Sequence, residues 1–107
     1  MLTLAERDDA RLTRRREAVA ELSARLTAFA QRHGGRFVLY GSTARGQDRH
    51  QSDIDLLVEF PSQLRIEAAC FAEQLCTQLG LIGDVRQADA ASERLIERAR
   101  AEGRVLA

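Results

Sequence analysis

Hydrophobic residues recur at spacings of three and four in the first third of the chain, which is the pattern of one apolar stripe along an α-helix. The predicted helix begins at about Leu4 or Arg11 and ends at Gln31, and the segment His33-Gly34-Gly35 that follows favours termination. We therefore expect an N-terminal helical segment, residues 1–32, ahead of a core formed by residues 36–107. The stripe consists of Val19, Leu22, Leu26 and Phe29.

Short apolar runs and helical patterns alternate along the rest of the chain. An apolar run bounded by turn residues predicts a strand, whereas spacings of three and four predict a helix. The resulting order is helix, strand, short helix, strand, helix, strand, helix, followed by a short edge strand. Gly80 and Gly103 are expected to close the last two helices. The predicted strands cover residues 37–40, 53–58, 81–85 and 105–106, and the later helices cover residues 43–45, 64–79 and 91–102.

Two aspartates separated by one residue lead into the second apolar run. Side chains on an extended strand alternate between its faces, so Asp53 and Asp55 point to the same side while Ile54 points away. Like charges held this close repel each other in a partly dry site, and a divalent cation between them removes that repulsion. The pair therefore predicts a metal site that handles phosphate. The alternative is structural, with Asp53 in an Asx turn and Asp55 as a solvated edge charge.

A Gly-Ser pair lies at the end of the first predicted strand, ten residues before the aspartates. Gly41 lacks the side chain that would hold a phosphate away from the backbone. We expect Ser42 to be the N-cap of the short helix, whose free N–H groups then face an anion. Arg45 adds a planar, permanently charged guanidinium. These residues predict a phosphate-binding turn, which the structural alternative for the aspartates leaves unexplained.

The spacing G-S-x10-D-x-D, carried by Gly41, Ser42, Asp53 and Asp55, resembles the signature of the nucleotidyltransferase superfamily, which includes DNA polymerase beta and the kanamycin-type enzymes. The short chain is similar to the minimal nucleotidyltransferases, which are commonly encoded beside HEPN-domain proteins as toxin-antitoxin pairs. The resemblance implies an α/β (α+β) fold with a small mixed sheet flanked by helices. It also implies that the aspartates hold Mg²⁺, with two ions expected, and that the Gly-Ser turn and Arg45 contact the triphosphate of ATP.

Asp84 is the third catalytic and metal-binding carboxylate that the resemblance implies. Relatives usually have aliphatic neighbours at this position, whereas here Gly83 precedes it and Arg86 follows two residues later. A nearby guanidinium favours the charged carboxylate and weakens it as a general base, although metal binding or orientation of the acceptor would survive. One alternative is a surface pair of Asp84 with Arg86. Another is Asp89 as the third carboxylate, although Asp89 also fits a helix N-cap.

The resemblance implies a protein adenylyltransferase that acts as an antitoxin. The chain would transfer AMP from ATP to a Tyr hydroxyl of a HEPN ribonuclease toxin. The two proteins would form a hetero-oligomer, because so short a chain has little surface with which to enclose an acceptor alone. Two alternatives stay open: an antitoxin that neutralises the toxin by binding without catalysis, and a stand-alone adenylyltransferase for small molecules.

Composition favours one small cytoplasmic domain that covers residues 1–107. The chain is 45% hydrophobic and 30% charged, which supports one modest core. No apolar stretch approaches the roughly 20 residues that span a bilayer, and the N-terminus lacks the apolar core of a signal peptide. The formal net charge of zero argues against direct nucleic-acid binding. Cys70 and Cys76 are expected to be free thiols, because a spacing of six puts them on different helix faces.

Several polar residues carry weaker signals. Asp48 and His50 lie in the loop before the aspartates, where they could reach nucleotide or acceptor, although a solvated loop is the simpler interpretation. Ser52 could brace the carboxylates by hydrogen bonding. Tyr40 is interpreted as a packing residue. Five arginines in the first helix predict either a basic patch for a partner or, more simply, a solvated helix face. These are Arg7, Arg11, Arg14, Arg15 and Arg16.

Overall fold

A four-stranded mixed β-sheet forms the centre of the protein, with helices on both faces. The computed structural model describes residues 1–45 and 53–107. The strands are β1 (Arg36–Tyr40), β2 (Ile54–Glu59), β3 (Gly83–Gln87) and β4 (Arg104–Leu106). The helices are α1 (Leu4–His33), α2 (Gly41–Ala44), α3 (Arg65–Gln78) and α4 (Glu93–Glu102), and a 3-10 turn covers Ala88–Ala90. This architecture confirms the predicted α/β fold with a small mixed sheet between helices.

The strand order β3-β2-β1-β4 puts β2, the strand of the aspartates, between two partners. β1 is antiparallel to both β2 and β4, whereas β2 and β3 run parallel. In this register Asp55 lies opposite Tyr40 on one side and Asp84 on the other. Because residues paired across neighbouring strands point to the same face of a sheet, these three side chains share one face.

Each face of the sheet buries its own apolar cluster. The larger cluster lies against α1 and α3, and its sheet residues alternate along two strands. They are Phe37, Leu39, Ile54, Leu56 and Val58. The smaller cluster lies against α4 and consists of Val38, Tyr40, Leu57 and Ala99. Since side chains alternate between faces, Asp55 and Asp84 lie on the α4 side.

The four residues of the predicted α1 stripe are all buried, as expected. The Thr3 hydroxyl accepts a hydrogen bond from the Glu6 N–H at 3.1 Å, which caps the helix at Leu4, the earlier of the two predicted starts. Gly34, with a φ of 74°, ends the helix after His33, two residues later than predicted. Although α1 has 30 residues, no helix in the described part of the chain is apolar enough over sufficient length to cross a membrane.

The predicted start of β3 is wrong by two residues. The N–H of Leu81 bonds to the Cys76 carbonyl at 2.8 Å, so this residue belongs to the turn after α3 and the strand begins at Gly83. Gly80, with a φ of 72°, lies in the same turn and allows the chain to leave the helix. Gly103 also follows its helix as predicted, but with an extended φ of −88°.

The predicted start of α4 is also wrong, because Ser92 is the N-cap. Its hydroxyl accepts a hydrogen bond from the Leu95 N–H at 3.2 Å, and the helix begins at Glu93. Asp89 is therefore not the N-cap that its sequence position favoured. It lies in the 3-10 turn, where its carboxylate pairs with Arg65 at 2.6 Å.

The two cysteines of α3 are free thiols in different environments, as predicted. Cys70 is exposed, whereas Cys76 is buried in the larger apolar cluster. Burial raises the pKa of the Cys76 thiol to about 11. Cys76 is therefore a packing residue with little thiolate at neutral pH.

Candidate active site

Three carboxylates gather where β2 and β3 begin. Asp55 and Asp84 are each the second residue of their strand, and the parallel register sets them side by side on one face. Paired strands lie about 4.8 Å apart, so the two carboxylates are within reach of one bound ion. Asp53 is exposed just before β2, and its charge acts on Asp55. The structure therefore brings together the three aspartates named from the sequence.

Mutual repulsion is visible in the pKa of Asp55. Burial raises this pKa above its usual value, and the negative charges of Asp84 and then Asp53 raise it further. The positive charges of Arg86 and Arg98 oppose the rise without cancelling it. Asp55 is therefore a carboxylate whose ionised form a nearby cation would stabilise.

The donor chemistry of this cluster fits Mg²⁺, a hard cation that prefers carboxylate oxygens. In the described part of the chain, no three His, Cys, Asp or Glu side chains form a group that could hold a metal ion by themselves. Mg²⁺ commonly takes only one or two protein carboxylates and completes its shell with water and substrate phosphates. The fit therefore depends on charge and oxygen chemistry and calls for a phosphate ligand beside the carboxylates.

Gly41 places the predicted phosphate turn directly against the carboxylate strand. Its φ of 77° lies in the left-handed region, which costs a residue with a side chain about 1–2 kcal/mol. A β-carbon at this position would collide with the Oδ2 oxygen of Asp55. Glycine meets both constraints, so the turn and the carboxylates lie side by side.

Ser42 is not the N-cap that the sequence predicted. α2 begins two residues earlier than predicted, at Gly41, because the glycine backbone makes the turn itself, and Tyr40 occupies the N-cap position without a side-chain hydrogen bond. Ser42 is half-buried inside this single helical turn. The Ser42 hydroxyl therefore does not cap the helix.

Arg45 follows α2 and is already engaged with α4. Its Nη1 lies 3.0 Å from Glu102 Oε2, and the same oxygen accepts a longer hydrogen bond from Arg98 at 3.4 Å. The side chains of Arg45 and Glu102 are 38% and 39% exposed. Exposed ion pairs contribute only about 0–1 kcal/mol, so loss of the pair with Glu102 by itself would cost little.

The surface pair that was the alternative role for Asp84 is present. Arg86 Nε and Nη2 lie 3.5 Å from Oδ1 and Oδ2 of Asp84, on the same face of β3. Both contacts are long, and the two side chains are 54% and 40% exposed. Such a pair is weak, and Asp84 keeps its place beside Asp55 at the same time. The fallback third carboxylate, Asp89, is instead paired with Arg65.

Tyr40 packs as predicted and is also coupled to the carboxylates. Its ring belongs to the smaller apolar cluster and is only 5% exposed. Burial raises the pKa of its hydroxyl, and the charge of Asp55 raises it further. Tyr40 therefore stays a neutral hydrogen-bonding group next to Asp55.

Arg15 is the residue near the site that sequence reasoning missed. It is only 6% exposed, and its Nη2 donates a hydrogen bond to Thr43 Oγ1 of α2 at 3.3 Å. The interpretation of the arginine run as a solvated face is thus wrong at this position. The sequence feature that could have predicted burial of Arg15 is its spacing, because position 15 lies four residues before Val19 and continues the apolar stripe. Asp48, His50 and Ser52 lie outside the described residues.

A family model provides the deciding comparison. The model of the nucleotidyltransferase domain matches residues 21–105, which include α2 and all three aspartates. The chain belongs to the nucleotidyltransferase domain family. This confirms the family expected from the Gly-Ser and Asp-x-Asp spacing, and such enzymes generally use a nucleoside triphosphate with a divalent metal.

Solved structures place this nucleotidyltransferase close to small relatives. A protein assigned as a minimal nucleotidyltransferase is 29% identical, with 82% of this chain and 92% of the other covered and a TM-score of 0.63. A toxin-antitoxin structure with AMP-PNP is 25% identical over 68% of this chain, with a TM-score of 0.52. A mutant of the toxin-antitoxin MntA-HpeT is 18% identical over 79% of this chain and 71% of the other, with a TM-score of 0.57, and shows the fold alone.

The extent of these matches differs between relatives. This nucleotidyltransferase spans 59% of the length of the toxin-antitoxin chain with AMP-PNP, but nearly all of the minimal nucleotidyltransferase. A comparison with curated proteins finds no significant match. The structural relatives therefore support the minimal form of the family.

Proposed function

We propose that this nucleotidyltransferase transfers AMP from ATP to a Tyr hydroxyl of a HEPN-family toxin and thereby acts as its antitoxin. The observation that carries the proposal is the contact of Gly41 with Asp55, which puts a phosphate turn beside a carboxylate cluster. The structural relative that is a toxin-antitoxin structure with AMP-PNP supports both the nucleotide and the kind of partner.

The triphosphate would bind to the backbone of Gly41 and Ser42, where no β-carbon blocks its approach. Arg45 would leave Glu102 and pair with a phosphate, for which its planar guanidinium is well suited. Asp53, Asp55 and Asp84 would hold the magnesium, with two ions expected. Mg²⁺ bound there would withdraw charge from the phosphate oxygens and so make the α-phosphorus easier to attack.

Asp84 would position the acceptor hydroxyl at the edge of the cluster. The hydroxyl oxygen forms a bond with the α-phosphorus, the bond between the α-phosphorus and the bridging oxygen breaks, and pyrophosphate leaves. The hydroxyl proton passes to Asp84 or to water. Because the Asp84 carboxylate is paired with Arg86, its contribution is orientation more than proton removal.

The proposal is tested by the mass of the partner. The protein is mixed with the product of the adjacent gene, ATP and Mg²⁺, and the partner should gain the mass of one AMP group at a tyrosine. Asp53→Ala should abolish this gain, whereas Asp9→Ala, which removes an exposed carboxylate from α1, should leave it intact. An unchanged partner mass with the intact protein would refute AMP transfer to this partner.

Neutralisation by binding alone is the second candidate, because both Asp84 and Arg45 are engaged in ion pairs. Under this alternative, the Asp53→Ala, Asp55→Ala double variant would still rescue a toxin-arrested cell. Loss of rescue by a folded double variant that still binds the toxin would support catalysis.

A further inference from the structure

A pocket lined by three arginines lies between α1 and the turn that follows α3. Its volume is about 320 Å³. Ligand pockets in proteins span roughly 300–1,000 Å³, so this one is suited to a small group. Its polar lining comes from α1, and the turn between α3 and β3 supplies the opposite wall. The residues are Arg11, Arg14, Arg15 and Ala18 on one side and Leu79, Gly80 and Leu81 on the other.

The charge of this pocket is positive among the described residues. Arg11 lies three residues before Arg14, so their two exposed guanidinium groups share one helix face and repel each other. Asp8 approaches Arg11 only to 4.0 Å, and both side chains are more than half exposed, which makes a weak pair. No carboxylate is among the lining residues of the described part of the chain. A bound anion would relieve this repulsion.

Arg15 connects the pocket to the phosphate turn. Its buried guanidinium donates to the Thr43 hydroxyl at 3.3 Å, and Thr43 belongs to the same helical turn as Gly41. None of the three aspartates lines the pocket. Arg14 is exposed, so it is available at the pocket mouth.

We propose that the pocket of Arg11, Arg14 and Arg15 binds a phosphate group. A guanidinium presents its N–H donors in a planar fork that matches two phosphate oxygens, and a doubly charged phosphate offsets more of the positive charge than a carboxylate would. The phosphate could belong to the tail of the nucleotide held at α2, which rests on the proposed function. It could also belong to a separate phosphorylated ligand, which does not.

Pyrophosphate is the probe, and isothermal titration of the full chain in EDTA is the measurement. Arg14→Gln removes one guanidinium from the pocket mouth. Arg16→Gln is the matched control, because it makes the same change at an exposed neighbour that does not line the pocket. Loss of a charged hydrogen bond should weaken binding about tenfold or more in the first variant. The control should change by no more than about twofold, because exposed charges are screened.

Equal weakening in the two variants, or no measurable binding by the intact chain, would overturn the proposal. Because Arg14 is exposed, the melting temperature of its variant should match that of the control, which separates binding from folding. If pyrophosphate binding depends on Arg14 but the protein transfers no AMP, the phosphate pocket is supported and the proposed function is refuted.

Competition with ATP distinguishes the two sources of phosphate. If the pocket takes the nucleotide tail, pyrophosphate and ATP compete and Arg14→Gln weakens both. If it takes a separate ligand, both bind together and the variant weakens pyrophosphate alone. Either result supports a phosphate pocket.

Discussion

Replacement of Gly41 by alanine combines two costs that can be measured separately. The first is the left-handed backbone: at a φ of 77°, a side chain costs about 1–2 kcal/mol. The second is steric, because the new β-carbon would collide with Asp55 Oδ2. Overpacking of this kind typically costs about 1–3 kcal/mol, so Gly41→Ala should lose more stability than the backbone alone explains.

Gly34→Ala is the matched control for the backbone cost. Gly34 has a φ of 74°, and a β-carbon there would have no heavy atom within 4 Å. The free energy of unfolding of the Gly34→Ala variant, measured in urea, should therefore be about 1–2 kcal/mol lower than that of the unmodified protein. For a chain of this size, each kcal/mol of lost stability lowers the melting temperature by roughly 4–8 °C.

A double variant isolates the contact with Asp55. Asp55→Ala removes the colliding carboxylate, while the Cβ of residue 55 stays 3.5 Å from the new atom, an ordinary contact. In this background the cost of Gly41→Ala should fall to that of Gly34→Ala. AMP transfer should be lost in Gly41→Ala and kept in Gly34→Ala. Equal stability losses in the two single variants, with full transfer by Gly41→Ala, would refute contact between the turn and the carboxylates.

Glu59 and the two thiols give further tests. Burial opposes ionisation of Glu59, but hydrogen bonds from Arg100 at 2.9 Å and Arg36 at 3.3 Å outweigh it and lower its pKa from 4.5. Glu59→Gln should reduce the free energy of unfolding by about 1–3 kcal/mol at pH 7 in urea titrations. A lowered carboxyl pKa stabilises only above that pKa, so the difference between the two proteins should shrink as the pH falls below about 5, and a constant difference would contradict this. At pH 8 a disulfide reagent should label exposed Cys70 rapidly, while Cys76, with a pKa of about 11, should react only on unfolding; two fast thiols would disprove its burial.

Burial explains why the elements were predictable from the sequence and why Arg15 was not. The stripe from Val19 to Phe29 has helical spacing because one face of α1 packs on the sheet. Arg15 continues that stripe, but a charged head group conceals the signal, since its aliphatic stem can be buried like an apolar side chain. Only the position of α2 beside α1 reveals the Thr43 contact.

Part of the geometry of the candidate site could likewise be predicted from the sequence, and part depends on tertiary structure. Alternation along a strand is a local property, so the shared side of Asp53 and Asp55 could be predicted. The place of Asp84 depends on the parallel register of β2 with β3, which no local pattern encodes and which the family resemblance had to supply. The predicted Ser42 cap is wrong because the positive φ of Gly41 starts the helical turn two residues earlier, where the glycine packs against Asp55.

The origin of the transferred phosphorus tests nucleotidyl transfer most directly. With ATP, Mg²⁺ and the partner protein, label from the α-phosphorus should appear on the partner, label from the γ-phosphorus should not, and Asp55→Asn should transfer neither. Label from the γ-phosphorus, or equal labelling by the Asp55→Asn protein, would contradict transfer of AMP at these carboxylates.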